Sequence, residues 1–464
     1  MRKKILAFLT IMVVSVGAFL LQACTKFDPN LPSYDMNLVD LSTIPNDVDE
    51  EYKYMFEQNV VATPTESVDI FGADSYYLGH PDTVLLNNGD ILAAFPVGHG
   101  RGETLFRVSH DGGITWEDNY TAPLPESFKK TDETPTIYKL DIVNDNGDKV
   151  DEKLLLASGR PGWGKKGQGF DVSISTSKTN GYCDGKVWSE HKNYFSEHAE
   201  SGYYAKDGEI EAIVAFASFT QLYENGKPIN KWMGIFHDYD FNVLKTYLTF
   251  DENGEMQWTY PTRVLDNAYR SIEKDLQFCE PEVVRSPDGK ELAMIYRTNS
   301  KKSYSHVAFS TDEGKTWSAP QELSRELTGE RHKAEYTPDG KLVITYRHIG
   351  WKIGQEHKSS AWYSLGWLAW VGDYEDLHKG ADGKGDFTIK LAHTYLDGQT
   401  APTESSNADT GYTGLTIDSN GNVVALSYGR FSPDNDKNLG GRTYIVSKRF
   451  NLNDICKYFG KTLS

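Results

Sequence analysis

Cysteine is scarce in this chain, which has only four among its 464 residues. One of them, Cys24, ends an N-terminal apolar segment, so Cys183, Cys279 and Cys456 remain for the rest of the protein. Three cysteines allow at most one disulfide, and none of them forms a Cys-x-x-Cys pair. The sequence therefore predicts no thiolate metal site, and no motif in it indicates a cofactor or a calcium ion.

Positive charge is also in short supply. The chain has 48 Lys and Arg residues against 66 Asp and Glu residues, which gives a formal net charge of −18. Proteins that bind nucleic acid neutralise its phosphates with clustered basic side chains. So large an acidic excess argues against nucleic acid as a partner.

Long apolar runs are absent except at the N-terminus. Basic residues 2–4 precede an apolar run over residues 5–21, and Leu-Gln-Ala then leads to Cys24. The run is slightly short for a membrane span, and the small residue before the cysteine resembles a bacterial lipoprotein signal. We therefore predict a signal peptide over residues 1–24 and lipidation of Cys24, with acyl chains holding the mature protein on a membrane in the periplasm or on the outer-membrane surface. An ordinary signal peptide or a membrane anchor is the alternative.

Convincing amphipathic helices are missing from the rest of the chain, which instead repeats a strand–turn–strand pattern, as in TVLLNNGDILAAF (83–95). Six hairpins of this kind have a turn glycine: Gly89, Gly147, Gly208, Gly289, Gly340 and Gly421. The turns are roughly 50 to 80 residues apart, which leaves room for two further strands after each hairpin.

A second pattern, Ser-x-Asp-x-Gly-x-Thr-Trp, occurs at residues 109–116 and again at 310–317. The glycine permits a positive φ, the aspartate can bond the turn backbone, and the tryptophan can pack the turn against its neighbours. A broken version runs from Ser175 to Trp188. Six four-stranded units predict an all-β fold, a six-bladed β-propeller, over residues 71–464, after a tether and first edge segment over residues 25–70. A β-sandwich is the alternative, but it would not repeat the hairpin and the later turn in a fixed order.

Counting back from the turns places polar residues at one end of the propeller. The start of each first strand and the end of each second strand lie at the same rim, which we call the mouth. Nine residues before four of the turn glycines, or just after those positions, lie His80, Asp82, Glu280, Glu282, Arg331, His332 and Tyr412. Arginines end second strands or follow the first hairpin, namely Arg101, Arg160, Arg297, Arg347 and Arg430. Guanidinium groups bind carboxylates in a bidentate manner, so this convergence in an acidic chain predicts an anionic ligand.

One chemistry that fits is attack by Tyr412 on the anomeric carbon of a sugar. A phenol, with a pKa of about 10, needs a neighbouring carboxylate to accept its proton, and Glu280 or Glu282 supplies one. A second acid must protonate the leaving oxygen, and Glu103 or Asp82 is the candidate.

A second chemistry is β-elimination. Here His80 or Tyr412 removes the proton next to a uronate carboxylate that an arginine neutralises. The residues alone leave both chemistries open.

The Ser-x-Asp-x-Gly-x-Thr-Trp segments are Asp-boxes, and six blades that carry them resemble the sialidase (neuraminidase) superfamily over about residues 75–455. The segment CEPEVVRSPDGKELAMIYR (279–297) is similar to the family segment with the glutamate that assists the nucleophile and one arginine of the carboxylate-binding triad. This implies roles for Glu280 (or Glu282) and Arg297. The segment GYTGLTIDSNGNVVALSYG (411–429) is similar to the one with the nucleophile, which implies Tyr412.

The chain departs from the family at other positions. The family's acid/base aspartate lies on the loop after the first hairpin, where the nearest candidates are His99 and Glu103. The first triad arginine is absent, because the Arg-Ile-Pro motif is replaced by Gly-His-Pro at 79–81. No arginine lies between residues 347 and 430, where the third is expected, and Gly429 stands where the family usually has an acid. The candidates to substitute in the carboxylate site are Arg101, Arg331 and Arg347.

We therefore predict a sialidase-like exo-glycoside hydrolase that releases a terminal acidic sugar from a glycan substrate, with sialic acid as the leading single candidate. One alternative is a propeller polysaccharide lyase that uses His80, Tyr412 and Arg331. The other is a non-catalytic glycan-binding propeller.

Overall fold

The computed structural model describes residues 36–70, 72–118, 124–131, 133–159, 170–175, 188–194, 212–238, 240–352, 354–396, 409–436 and 438–464. The predicted signal peptide, its lipidation site Cys24 and the predicted mouth residue Arg160 lie outside these ranges. Among the described residues, no helix is long and apolar enough to span a membrane.

Short strands and one helical turn precede the first blade: β1 (Leu38–Asp40), α1 (Lys53–Phe56), β2 (Gln58–Ala62), β3 (Val68–Ile70) and β4 (Ala73–Ser75). Blade 1 consists of β5 (Asp82–Leu85), β6 (Ile91–Pro96) and β7 (Thr104–Ser109). Blade 2 consists of β8 (Thr136–Val143), β9 (Lys149–Gly159), β10 (Phe170–Ile174) and β11 (Lys192–Tyr194). Blade 3 consists of β12 (Ala212–Glu224), β13 (Lys227–Asp238), β14 (Val243–Phe250), β15 (Met256–Trp258) and β16 (Thr262–Arg263), and α2 (Arg270–Leu276) follows it.

Blade 4 consists of β17 (Phe278–Arg285), β18 (Leu292–Thr298), β19 (His306–Ser310) and β20 (Gln321–Glu322). Blade 5 consists of β21 (Gly329–Tyr336), β22 (Leu342–His348), β25 (Trp367–Gly372) and β26 (Phe387–Lys390). A small hairpin, β23 (Gly350–Trp351) and β24 (Trp362–Tyr363), lies between its second and third strands, and α3 (Tyr374–His378) precedes its last strand. Blade 6 consists of β27 (Thr413–Ile417), β28 (Asn422–Gly429) and β29 (Tyr444–Asn451), and α4 (Leu452–Phe459) follows it.

These strands form a closed six-bladed β-propeller, as predicted. Each blade is an antiparallel sheet whose first strand is innermost. The six inner strands, β5, β8, β12, β17, β21 and β27, contact one another in a ring around a central channel. Because each sheet is covered on both faces by its neighbours, a strand can be buried along its whole length, as in β6, whose six residues are all buried.

The N-terminal segment closes the ring. Strand β2 pairs with β29 as the outer strand of blade 6, and β1 pairs in parallel with β26 at the edge of blade 5. Both strands come from residues 25–70, which the sequence analysis assigned to a tether and first edge segment. Lys448 of β29 donates from Nζ to the carbonyls of Leu41 and Phe56, at 2.7 Å each, and burial lowers its pKa to about 7.

The hairpin turns repeat one geometry in five blades. In each, the glycine has a positive φ and its N–H donates to the carbonyl three residues back, as from Gly289 to Ser286. The hairpin predicted at Gly208 lies outside the described residues. The residues after it form the inner strand of blade 3, and the hairpin turn of that blade is Asn225–Gly226, where both residues have positive φ as a tight two-residue turn requires.

The two Ser-x-Asp-x-Gly-x-Thr-Trp segments form the same hydrogen-bonded turn. Asp111 accepts from the hydroxyls of Ser109 at 2.8 Å and Thr115 at 2.6 Å, and Asp312 accepts from Ser310 and Thr316 at the same distances. Each turn follows the third strand of its blade, which runs parallel to the first, so both lie at the end opposite the mouth. They are therefore structural elements, remote from the mouth.

Candidate active site

Backbone strain marks the mouth. His80, Glu280 and Arg331 have φ values of 49°, 43° and 53°, in the left-handed region that residues other than glycine seldom adopt. The pairing register between the first and second strands shifts in two blades. The shift lies between Cys279 and Glu282 in blade 4 and between Glu330 and Lys333 in blade 5. Each such residue costs about 1–3 kcal/mol, and strain of this kind clusters at functional sites. The bulges in blades 4 and 5 turn the side chains of Glu280 and Arg331 toward the mouth.

Tyr412 lies at the centre of the mouth. Its hydroxyl donates to both carboxylate oxygens of Glu280, at 2.9 and 3.0 Å. Nη1 of Arg297 donates to the same hydroxyl at 2.6 Å and to Glu280 at 2.7 Å. Tyr412 remains partly exposed, whereas Glu280 is 1% exposed. The phenol is thus accessible, while the carboxylate beside it is not.

A buried glutamate organises the arginines around this phenol. Glu330 forms ion pairs with Arg297 and Lys301, at 3.0 Å each, and accepts from Nε of Arg347 at 2.6 Å. The guanidinium of Arg347 then lies 5.0 Å from the ring centre of Tyr412. The sequence analysis missed Glu330. The available signal was its place one residue before Arg331, directly opposite Arg347 across the hairpin.

The surroundings of the Tyr412–Glu280 pair keep the resting proton on the phenol and the negative charge on the carboxylate. Burial raises the pKa of Tyr412, against the effect of Arg297, so the resting group is a phenol. Burial alone would raise the pKa of Glu280 too, but the guanidinium groups of Arg297 and Arg331 outweigh it and lower that pKa. Glu280 is therefore an ionised base that can take the proton as the phenol oxygen bonds to carbon. Such a pair suits nucleophilic attack by tyrosine.

Two histidines and an aspartate form one wall of the mouth. The His80 ring lies 4.7 Å from that of Tyr412 and 4.6 Å from that of His99, with edge contacts in both cases. Nδ1 of His80 is buried without a hydrogen-bond partner among the described residues, and burial lowers the pKa of this imidazole well below its usual value. His99 lies 3.8 Å from Asp409, which also accepts hydrogen bonds from Tyr77 and Tyr428.

Arg331 differs from Arg297 and Arg347 because it has no hydrogen-bond or ion-pair partner among the described residues. Its side chain is 8% exposed, Nη1 is fully buried, and its guanidinium forms no hydrogen bond or ion pair with the described residues. Burial opposes its charge, but Tyr138, Glu280 and Asp82 outweigh that effect and raise its pKa. Burying a charged guanidinium without a counter-ion is costly.

Asp82 and Glu282 lie two residues beyond the mouth on their strands and have a different role. Asp82 accepts from the backbone N–H of Ile137 in blade 2 at 3.1 Å and pairs with Lys333 at 3.3 Å. Glu282 accepts from the N–H of Ala334 in blade 5, also at 3.1 Å, and burial raises its pKa to about 7. Both carboxylates join neighbouring inner strands, and neither contacts Tyr412.

A cavity of about 490 Å³ occupies the channel below these residues and is lined by all six inner strands. Glu282 and Lys333 lie on its wall. We call Asp82, Glu282 and Lys333 the channel residues, and His80, Glu280, Arg331 and Tyr412 the mouth residues.

The remaining predicted residues lie away from Tyr412. Arg101 and Glu103 are exposed on the loop after the first hairpin. Arg430 pairs with Asp434 at 3.5 Å. His332 is buried, bonds the carbonyl of Leu327 at 3.1 Å and packs on Tyr346, and burial lowers its pKa to about 4. These contacts give Arg430 and His332 structural roles.

Glu133, just before the inner strand of blade 2, reaches the mouth although the sequence analysis did not name it. Its carboxylate stands 2.7 Å from the position that a Cβ on Gly100 would occupy, in the loop that carries His99. Burial raises the pKa of Glu133 to about 7. No turn glycine or family motif marks this position, because the contact depends on how blade 1's loop folds over blade 2.

Within the described ranges, no group of three or more His, Cys, Asp or Glu side chains is placed to hold a metal ion. The polar groups of the mouth are instead arranged around Tyr412 and the unpaired Arg331.

Comparison with known proteins reveals similarity of fold. No protein-family model matches the sequence, and no curated protein matches it. Among solved structures, a protein of unknown function from Dyadobacter fermentans is 19% identical, with a TM-score of 0.52 over 83% of this chain and 98% of that one. An α-L-arabinofuranosidase from Fusarium graminearum (13% identity, TM-score 0.49, 86% and 98% coverage) and an intramolecular trans-sialidase from Ruminococcus gnavus (12%, 0.45, 82% and 96%) are also similar. At these identities the similarity concerns the fold alone.

Proposed function

We propose that this protein is a glycoside hydrolase that releases a terminal acidic sugar with retention of configuration, with Tyr412 as nucleophile. The observation that carries the proposal is the phenol of Tyr412, bonded to both oxygens of Glu280 and to Arg297 at an accessible position in the mouth. Among sugars that fit, sialic acid is the leading candidate.

The first half of the reaction forms a bond between the Tyr412 oxygen and the anomeric carbon. The phenol proton passes to Glu280 as that bond forms, and the glycosidic carbon–oxygen bond breaks with protonation of the leaving oxygen. Arg297, which donates to the phenol oxygen, stabilises the negative charge that develops there. In the second half, water attacks the anomeric carbon, and the departing phenoxide recovers its proton from Glu280.

Arg331 supports an acidic substrate. Arg297 and Arg347 are neutralised by Glu280 and Glu330, but the guanidinium of Arg331 has no counter-ion among the described residues. A carboxylate on the sugar would supply two hydrogen bonds and the missing charge. The role assigned to Arg331 is therefore the anion contact.

The test is turnover by the purified mature protein on a panel of α-sialosides, other ulosonic-acid glycosides and uronate-containing glycans, with Tyr412→Phe beside it. We expect release of a free reducing sugar by the wild type and a loss of at least about 10³-fold in the variant, because phenylalanine has no nucleophile. No turnover of any glycoside, or full activity of Tyr412→Phe, would overturn the proposal.

A lyase is the second candidate, and His80 favours it. This buried imidazole is neutral, its Nδ1 has no partner, and it lies against Tyr412 close to an arginine that could neutralise a uronate. The same panel separates the two reactions, since a lyase product contains a carbon–carbon double bond that absorbs ultraviolet light and a hydrolase product does not. An unsaturated product that disappears in His80→Ala would move the assignment to the lyase.

A further inference from the structure

The loop between β6 and β7 has a shape that admits a side chain from the next blade. Gly98, Gly100 and Gly102 all have positive φ, so the loop bends sharply above the mouth. A Cβ at position 100 would stand 2.7 Å from the Glu133 carboxylate, so a side chain there would displace this carboxylate from its place. Glycine at this position therefore leaves room for Glu133.

Glu133 is held firmly at this place. Its Oε1 accepts from the backbone N–H of Thr134 at 3.0 Å and from the hydroxyl of the same residue at 3.1 Å. Its own carbonyl accepts from Ser158 at 2.5 Å, which ties the start of blade 2 to the neighbouring strand. The residue is 8% exposed, and Oε2 accepts no hydrogen bond from the described residues. One carboxyl oxygen is thus fixed, and the other is available to hold a proton.

The surroundings of Glu133 and Glu280 shift the pKa values of these two carboxyl groups in opposite directions. Burial raises the pKa of Glu133 to about 7; Thr134 and Arg101 oppose this rise, and the charge of Glu280 adds to it. Glu280 has a lowered pKa because of its arginines, although burial acts against them. A pair of carboxyl groups whose pKa values diverge in this way provides one acid and one base at the same pH.

The other acidic groups of the mouth fit the role of proton donor less well. Glu103 is exposed on the outer side of the loop. Burial lowers the pKa of His99, so this imidazole is neutral near pH 7. Asp409 accepts a hydrogen bond from a phenol on each of its two oxygens and lies 3.6 Å from Arg347, so neither oxygen is left for a leaving group.

We propose that Glu133 is the catalytic acid/base of the glycosidase, supplied by blade 2 in place of an acid on the blade 1 loop. This inference rests on the proposed function. In the first step the proton on Oε2 moves to the glycosidic oxygen as the bond from that oxygen to the anomeric carbon breaks. In the second step the Glu133 carboxylate removes a proton from the attacking water, which bonds to the anomeric carbon as the Tyr412 oxygen leaves.

The experiment compares Glu133→Gln with the wild type on two substrates that share one sugar but differ in leaving group. An unactivated glycan needs protonation of its leaving oxygen, whereas an aryl glycoside with an acidic phenol does not. We expect kcat/KM to fall about 10²- to 10⁴-fold on the glycan and to change little on the activated aryl glycoside. The fall in wild-type kcat/KM above about pH 7 should disappear in the variant, because the group that must be protonated is gone.

Two further variants complete the test. Glu152→Gln removes another buried carboxyl of blade 2, near the hairpin end, and should leave both activities unchanged. Glu133→Ala should recover turnover of the aryl glycoside on addition of azide and yield a glycosyl azide, which a structural role would not produce. Equal losses on both substrates, or an unaltered pH profile in Glu133→Gln, would overturn the role of Glu133 while Tyr412 still carries the reaction. Absence of wild-type turnover would overturn the proposed function itself.

Discussion

The mouth residues and the channel residues lie only two positions apart on the same inner strands, yet they differ in almost every physical respect. His80, Glu280 and Arg331 have strained backbones, and Glu280 and His80 contact Tyr412 directly. Asp82 and Glu282 have ordinary backbones and bond the N–H groups of the next blade. The first set costs folding energy, and the second set joins the blades.

This difference teaches how a propeller separates chemistry from stability. The bulge between Cys279 and Glu282 changes the direction of the Glu280 side chain. Glu280 and Glu282, although only two residues apart, therefore have different surroundings. Glu280 meets two guanidinium groups, which lower its pKa, whereas burial dominates at Glu282 and raises its pKa to about 7. Removing a mouth residue should therefore affect activity, and removing a channel residue should affect stability.

The sharpest comparison uses matched substitutions of the two glutamates. Glu280→Gln should lower kcat about 10²-fold or more, since an amide cannot accept the phenol proton. Glu282→Gln should keep kcat within a few-fold of the wild type, because the amide oxygen still accepts from Ala334 and the residue does not contact Tyr412. Steady-state kinetics with thermal melts of both variants check this. Equal losses of kcat in well-folded variants would remove the distinction between mouth and channel.

The next comparison is between two arginines of the mouth. Arg331→Met should raise KM for an acidic substrate about 10- to 100-fold, while the melting temperature stays the same or increases, because the buried guanidinium donates no hydrogen bond to the part of the chain that the structure describes. Arg347→Met should lower the melting temperature, since it deprives buried Glu330 of two hydrogen-bond donors. A clear loss of stability in Arg331→Met with unchanged KM would make Arg331 a structural residue.

The smallest effect is expected in the channel. Asp82→Ala leaves the buried N–H of Ile137 without an acceptor and Lys333 without its partner, which should cost about 1–3 kcal/mol of unfolding free energy. Its kcat should remain close to that of the wild type. Denaturant unfolding measures the first quantity, and a large fall in kcat without a loss of stability would place Asp82 in the catalytic machinery after all.

The sequence predicts the fold well because its signals are local. A glycine is needed at the end of each tight turn, and the Ser-x-Asp-x-Gly-x-Thr-Trp segments carry all the side chains of their own hydrogen-bonded turn. In blade 3 a second turn signal, Asn225–Gly226, follows the one at Gly208 and forms the hairpin between the first two strands. Counting back from the turns also identifies His80, Glu280, Arg331 and Tyr412, because these four blades keep the same spacing between the mouth residue and the turn glycine.

The sequence predicts partners in the mouth less well because these depend on contacts between blades. It leaves Glu280 and Glu282 as alternatives, since only the bulge decides which of them reaches Tyr412. It misses Glu133 because a loop of blade 1 has to fold around this residue of blade 2. It predicts an anion site with six candidate arginines. It does not show that Glu330 pairs with Arg297 and Arg347, or that Arg331 has no ion-pair partner among the described residues.

The central claim is that Tyr412 forms a bond to the sugar, and trapping tests it most directly. In a retaining glycosidase, a fluorine on the sugar slows both steps, whereas a good leaving group speeds the first step alone. With a donor that has both features, the glycosyl-enzyme therefore accumulates. Intact mass and peptide mapping should then show one added sugar on the peptide that contains Tyr412, and no label in Tyr412→Phe. Label on another residue, or steady turnover of the parent substrate by Tyr412→Phe, would contradict the account.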